Sequence, residues 1–438
     1  MRFEGVATFA SVLNQTVKRL LIVSVVISSL LTSTARGQEP VNPWVSDAER
    51  GRLEQLRDSG CEALYNLDYG KARADFSELA RLFPQHPAGP QYLASALLFE
   101  TLHKSRRLQG SLYNTKAFSS EGDDKVDPEV ANQFRALTNE AQRLASARRK
   151  QYPKDAEALY YLGNVAALKA TYEETVERRH SAALSDGCEA VELHRQVVKL
   201  DPTYIDAELT IGMYDYIVGS LSFPAKVVAG LFGAHGSKKR GLATVERVAK
   251  DGEATRDQAR TLLVIIYTRE KRYGEAAELA RQLAAQYPRN YLYRLEAADA
   301  LISKATVTAK ARQTLVDANT AGEAFSIYEA LLHDKEVAGT AARLTDLIHF
   351  KYGEALLKTG RTEQAAAEFF AAAEAAGADE GLATVARLYA ARALDVCNKR
   401  AEAVAQYRLV LSRPDASDAH DEARKGLRGR YKSEAGTR

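Results

Sequence analysis

The sequence predicts an all-α protein, a solenoid of antiparallel helix pairs, and two observations carry that reading. The chain is alanine-rich and regularly helical over most of its 438 residues. It is also punctuated by a recurring order of small, large and helix-stopping residues with a period of 34. Counted from Asp257, the residues Ala259, Leu263, Tyr267, Tyr273, Ala276, Ala280, Leu283 and Pro288 occupy positions 3, 7, 11, 17, 20, 24, 27 and 32. The same frame takes Gly353, Gly360, Ala365, Phe369 and Ala372 at 8, 15, 20, 24 and 27, and Ala403 and Tyr407 at 20 and 24. It takes Ala72, Phe76, Leu79 and Pro84 at 20, 24, 27 and 32. Pro153 places Ala158, Leu162 and Gly163 at 3, 7 and 8 of the next unit, and Pro202 likewise places Ala207, Ile211 and Gly212.

Small residues at 8 and 20 let the two helices of a unit approach, and larger ones at 7, 11 and 24 fill the space between them. Proline at 32 ends the second helix because its ring cannot continue the hydrogen-bond ladder. These residues resemble the tetratricopeptide repeat, whose unit is helix A, turn, helix B. The resemblance implies a right-handed superhelix, because one hairpin cannot bury its apolar face alone and must stack on others. About eight pairs are expected, at 46–84, 88–153, 156–202, 204–252, 256–288, 291–335, 339–376 and 380–414. A polar helix at about 416–432 caps the stack, so that 46–432 forms one solenoid with a disordered tail at 433–438.

Several pairs are too long, always between positions 11 and 20. That interval is nine residues in a standard unit, but 24 from Ala166 to Ala190, 26 from Asp215 to Gly241, 23 from Leu301 to Ala324 and 44 from Leu97 to Ala141. Every excess therefore falls in the turn joining helix A to helix B, and those in 88–252 should build one thickened rim. The inserts 168–184 and 306–322 contain no helix breaker and should lengthen their helices. The stretch 105–128 carries Gly110, Asn114, Gly122 and Asp123 and reads as a loop. Its Tyr113 and Phe118 either tuck onto the rim or await a partner.

The insert SLSFPAKVVAGLFGAHGSKKRGL (220–242) departs most from the rest. Its glycines fail as a phosphate loop, because Gly236 precedes Ser237 where a lysine is required, and no strand leads in. Pro224 should instead start a short apolar helix, with Gly233 and Gly236 turning the chain back into an ordinary helix B at Gly241. The segment is similar in layout to one in the eukaryotic inclusion-body-clearance tetratricopeptide family. The matching residues are Gly212, Tyr216, Ser220, Leu221, Pro224, Gly230, Gly233, Gly236, Gly241 and Leu242. That implies shared architecture.

The amino terminus reads as an export signal. Lys18 and Arg19 precede the twelve-residue apolar run Leu20–Leu31, too short to span a bilayer of about 30 Å. Cleavage after Gly37 or Ala35 would leave an exposed linker at 38–45; a short uncleaved anchor is the alternative. The protein is thus expected to be exported, periplasmic or secreted in a bacterial envelope. Residues 1–37 carry four basic and one acidic side chain, so the whole chain's +3 leaves the body at zero. A neutral body gives no electrostatic case for nucleic-acid binding.

No catalytic motif and no cofactor site is found. Glu177 and His180 have the spacing of di-iron helices but lack a second such pair. Cys61, Cys188 and Cys397 are spaced too widely for a metal site and read as helix-face residues. What remains is surface. The tetratricopeptide resemblance implies that helix A positions 5, 9, 12 and 13 line a peptide-binding concave groove. Here they fall at Tyr160 and Asn164, at Thr261, Thr268 and Arg269, and at Phe350, Glu354 and Lys358. The leading expectation is a non-catalytic scaffold binding a protein or peptide through that groove and rim. The alternative is an apolar-ligand or membrane-surface binder using Phe223, Phe232, Lys238, Lys239 and Arg240 of the insert.

Overall fold

The computed structural model describes residues 44–108, 127–231, 233–312, 316–334 and 344–432. The segment expected to be an export signal, the residues before Trp44, Tyr113, Phe118, Phe232 and the tail lie outside them. Among the described residues there are eighteen α-helices and no strand. The chain divides into two compact units within α10, where the sequence predicts one continuous stack. Unit 1 holds residues up to Lys104 and Lys125–Ile266; unit 2 holds Ser105–Asp124 and Tyr267–Arg438.

In unit 1, α1 (Asp47–Tyr65) pairs with α2 (Tyr69–Leu82), α3 (Ala88–Lys104) with α4 (Pro128–Gln151), and α5 (Ala156–Tyr172) with α6 (His180–Leu200). α7 (Glu208–Gly219) pairs with α9 (Lys238–Asp251) across the short inserted α8 (Phe223–Leu231), and α10 (Arg256–Arg269) follows. Unit 2 runs α11 (Tyr273–Gln286), α12 (Tyr291–Arg312), α13 (Ala318–His333), α14 (Thr345–Lys358), α15 (Thr362–Glu374), α16 (Glu380–Val396), α17 (Arg400–Leu411) and α18 (Ala419–Arg428), each packed on the next. This is hairpin-on-hairpin packing of the tetratricopeptide type.

Local chemistry sets the boundaries. Ser46 and Glu49 form a capping box at α1, with the Ser46 N–H donating to Glu49 Oε2 at 3.0 Å. Asp68, Asp127, Asp155, Asp317 and Asp379 each accept a backbone N–H at the start of the helix that follows. The turn between A and B helices needs one left-handed residue, and it falls at position 15 of four units: Leu67 (φ 61°), Lys271 (61°), Gly360 (82°) and Asn398 (63°). Only one of the four is glycine, so the other three hold a strained backbone.

The spacing of small and large residues explains how the hairpins close. A Cβ on Gly60 would lie 2.3 Å from the Phe76 ring, and one on Gly353 2.7 Å from Phe369. Position 8 is thus a seat for the aromatic ring of position 24. At the far end α18 covers the last hairpin: Ala419 and Ala423 are buried with Tyr407, Val410 and Leu388. The face lying away from them carries the charged residues that stop the stack from self-associating.

The inserts behave in three ways. α5 ends in a π-helical turn, Glu173–Glu177, closed by Arg178 at φ 57°, and α12 runs on to Arg312. After α3 the chain turns at Arg106 (φ 60°) and joins unit 2, where its guanidinium forks onto the fully buried Asp346 carboxylate. Asp346 also accepts the Asp379 N–H at 3.0 Å. At the amino end, Trp44 and Val45 are not an exposed linker. Val45 is buried, and Trp44 packs 4.9 Å from the His86 ring with Arg148 over its face.

Candidate functional site

The residues proposed for a groove divide sharply by exposure. Tyr160, Asn164, Phe350 and Glu354 are buried, none more than 7% exposed. Tyr160 stacks on Tyr204 at 4.8 Å and on His194 at 5.3 Å. Phe350 packs against Phe369 and Tyr389. Glu354 accepts from Lys351 Nζ at 2.7 Å. These four are interior packing and do not form a contact surface, since neighbouring rings close over Tyr160 and Phe350, and Asn164 and Glu354 are buried beside them. Thr261, in unit 1, and Thr268 and Arg269, in unit 2, are half-buried, and Lys358 is exposed on unit 2.

Two buried polar groupings were not visible as such in the sequence. His194 occupies position 24 of its unit, the seat taken by Phe76 and Phe369 elsewhere. Its Nε2–H donates to the Tyr160 carbonyl at 3.2 Å, and a Cβ on Gly163 would meet the imidazole at 2.4 Å. Burial pushes its pKa down to about 4, against a smaller upward pull from the carbonyl. In unit 2, Lys351 is 2% exposed and lies 3.0 Å from Asp299 and 2.7 Å from Glu354. Burial disfavours its ammonium, but the two carboxylates outweigh that and hold it above its ordinary range. The signal for His194 was a polar residue at position 24, where the frame takes an apolar one.

The rim of unit 1 is where unoccupied apolar space lies. α5, α6 and α7 leave between them a slot of about 90 Å³, lined chiefly by Ala167, Ala170, Ala183, Gly187, Met213 and Ile217, with Cys188 and Tyr214 at its wall. It exists because the inserted ends of α5 and α6 face α7 with alanine and glycine, and no large side chain fills the gap. Arg195 lies over the Tyr214 ring, 5.2 Å from its centroid.

Beside the slot, the π-turn gathers acids and bases. Glu174 pairs with His180 at 2.9 Å, so the partner of His180 is Glu174 rather than Glu177. Glu177 pairs with Arg135 and Arg179. Burial first, and the Asp186 carboxylate second, push the Glu173 carboxyl up to about 7. Among the described residues no three His, Cys, Asp or Glu side chains converge as a metal set. Cys61, Cys188 and Cys397 are all free thiols.

The insert 220–242 completes this rim. Ala225 and Ala229 of α8, with Leu221 just before it, pack with Val218 and Ala234, while Phe223 is 80% and Val227 51% exposed. The helix thus turns Ala225 and Ala229 inward and presents Phe223 and Val227 outward. Gly233 turns the chain at φ 79°, and Gly236 approaches Val218 and the Asp215 carbonyl too closely for a side chain. Lys238, Lys239 and Arg240 open α9 and are exposed; Arg240 forks onto the buried Asp215 at 2.5 and 2.8 Å.

No protein-family model matches the chain, and no curated protein matches it. Solved structures do. A human IFIT1 dimer with m7Gppp-AAAA is 13% identical, with a TM-score of 0.43, over 88% of this chain and 86% of that one. The IFIT1 dimer with PPP-AAAA is also 13% identical, with a TM-score of 0.42 over the same shares. A tetratricopeptide repeat protein from Parabacteroides merdae is 13% identical, with a TM-score of 0.31 over 77% of this chain and 99% of that one.

Proposed function

We propose that this chain is an exported, non-catalytic scaffold that holds a protein partner on the rim of its first unit. The tetratricopeptide-type fold is that of protein-interaction scaffolds in general. The observation that carries the finer reading is the apolar slot between α5, α6 and α7, open on an exposed edge, where α5 and α6 contribute alanine and glycine and α7 contributes Met213 and Ile217. Such a slot accepts one apolar side chain of a partner, which would recover the burial the slot itself lacks. The signal-like run Leu20–Leu31 supports export to a bacterial envelope. The zero net charge of residues 38–438 favours a protein over a nucleic acid as partner.

The test is a photo-crosslinking residue at Cys188, on the wall of the slot, compared with one at the exposed Lys358 of unit 2. One discrete envelope-protein adduct is expected at 188 and none at 358. Ala183→Leu, which fills the slot from within, should abolish the adduct without lowering the melting temperature. Equal labelling at the two positions, or an adduct indifferent to Ala183→Leu, would remove the proposal.

A further inference from the structure

We infer that α8 and the start of α9 form a docking surface for an anionic lipid bilayer, a function separate from partner binding in the slot. Among the described residues, Phe223 and Val227 are the most exposed large apolar side chains. They stand four residues apart on one nine-residue helix and so share a face. The opposite face is anchored, since Leu221, Ala225 and Ala229 pack with Val218 and Ala234. An outward apolar pair on an anchored helix is a built feature, not a frayed end.

The charge around it selects the occupant. From Tyr216 to Val245 the chain has no aspartate or glutamate but carries Lys226, Lys238, Lys239 and Arg240. Lys226 sits on α8 between the two apolar residues, and all four cations are exposed. Asp215 engages Arg240 through both of its carboxylate oxygens. The basic triplet also opens a helix, where the backbone dipole disfavours cations. The α9 start lies against the end of α7: a Cβ on Gly219 would fall 2.0 Å from the Lys238 nitrogen. The cations and the apolar pair therefore flank the same short stretch of chain.

A second copy of this chain would set cation against cation and is disfavoured. A specific protein interface needs about 800 Å² from each partner, far beyond one phenylalanine and one valine. A lipid surface asks for less: shallow insertion of a few apolar side chains, with lysines at the headgroup level. Each lysine near an anionic surface contributes roughly fivefold in affinity, and a phenylalanine leaving water roughly tenfold or more.

The experiment is co-sedimentation of the full chain with vesicles of phosphatidylcholine containing 30% phosphatidylglycerol (a chosen composition, about one charge in three lipids), beside vesicles of phosphatidylcholine alone. Binding is expected only to the anionic vesicles, and it should weaken with salt. Phe223→Ser with Val227→Ser should lower affinity at least tenfold, and Lys226→Glu with Lys239→Glu about as much. All four positions are exposed, so helical content and melting temperature should not change. Absence of binding, equal binding to neutral vesicles, or equal binding by the Phe223→Ser, Val227→Ser variant would each overturn the inference. So would self-association of the chain, in sedimentation without lipid, that this variant abolishes. The crosslinking test at Cys188 is independent of these residues, so either reading can fail alone.

Discussion

Gly241→Ala is the sharpest perturbation the fold offers, because a good helix former is there expected to destabilise a helix. The added Cβ would lie 2.2 Å from the Tyr216 nitrogen and 2.5 Å from the Gly212 carbonyl oxygen, both backbone atoms of α7. Ordinary contact begins at 3.4 Å, so α7 and α9 must part by 3.4 − 2.2 = 1.2 Å or twist to the same effect. A gap of about 1 Å forfeits up to half of the dispersion well across the seam, and overpacked cores lose about 1–3 kcal/mol. Replacing glycine inside a helix returns about 1 kcal/mol. The net expectation is a loss of up to about 2 kcal/mol, confined to the α7–α9 hairpin. Long repeat arrays do not unfold in one step, so the assay is amide hydrogen exchange, read on α9. Protection there should fall by roughly tenfold. Gly322→Ala is the control, since a Cβ at that position of α13 meets nothing within 4 Å, and protection of α13 should rise. If Gly241→Ala leaves α9 as protected as before, the close backbone approach is not what position 20 requires.

Three other outcomes follow from the same packing. The pKa of His194, about 4 in the fold and about 6.5 when unfolded, means the unfolded chain takes up the proton first as pH falls. Stability should be complete above pH 6.5 and drop by roughly 3 kcal/mol toward pH 4; His194→Phe should flatten that slope in denaturant midpoints measured across the window. Arg106→Ala strips the fork from the fully buried Asp346, which should cost about 3–5 kcal/mol, seen as lost exchange protection at the start of α14; unchanged protection would show the carboxylate to be satisfied by its other donors. At the left-handed turns, Gly360→Ala should destabilise by about 1 kcal/mol while Lys271→Gly is neutral or stabilising, a contrast in sign that thermal melts of the two variants can check.

How far the sequence could be read depends on what each signal encodes. The helix hairpins were legible because their determinants are local and of one kind: glycine or alanine where backbones meet, a ring opposite, a proline at the stop. Gly353 and Phe369 announce each other across 16 residues, and so do Gly60 and Phe76. The groove was not legible in the same way. Whether a side chain at position 5 or 9 faces water depends on which residues the next hairpin brings over it. Tyr160 disappears because Tyr204 and His194 close on it, and Phe350 because Tyr389 does. No property of Tyr160 itself distinguishes an aromatic contact point from a buried ring. The rim was half legible. The excess length in the A–B turns was countable, and the apolar and basic character of 220–242 was plain. Which of its apolar residues stay outside was not, since that depends on which face of a nine-residue helix packs against its neighbours. That choice follows from Ala225 and Ala229 offering a small surface that fits, beside Leu221 of the preceding turn, against Val218 and Ala234. Phe223 and Val227 are then left to the solvent side. The same steric rule that lets two helices touch at Gly241 therefore turns Phe223 outward.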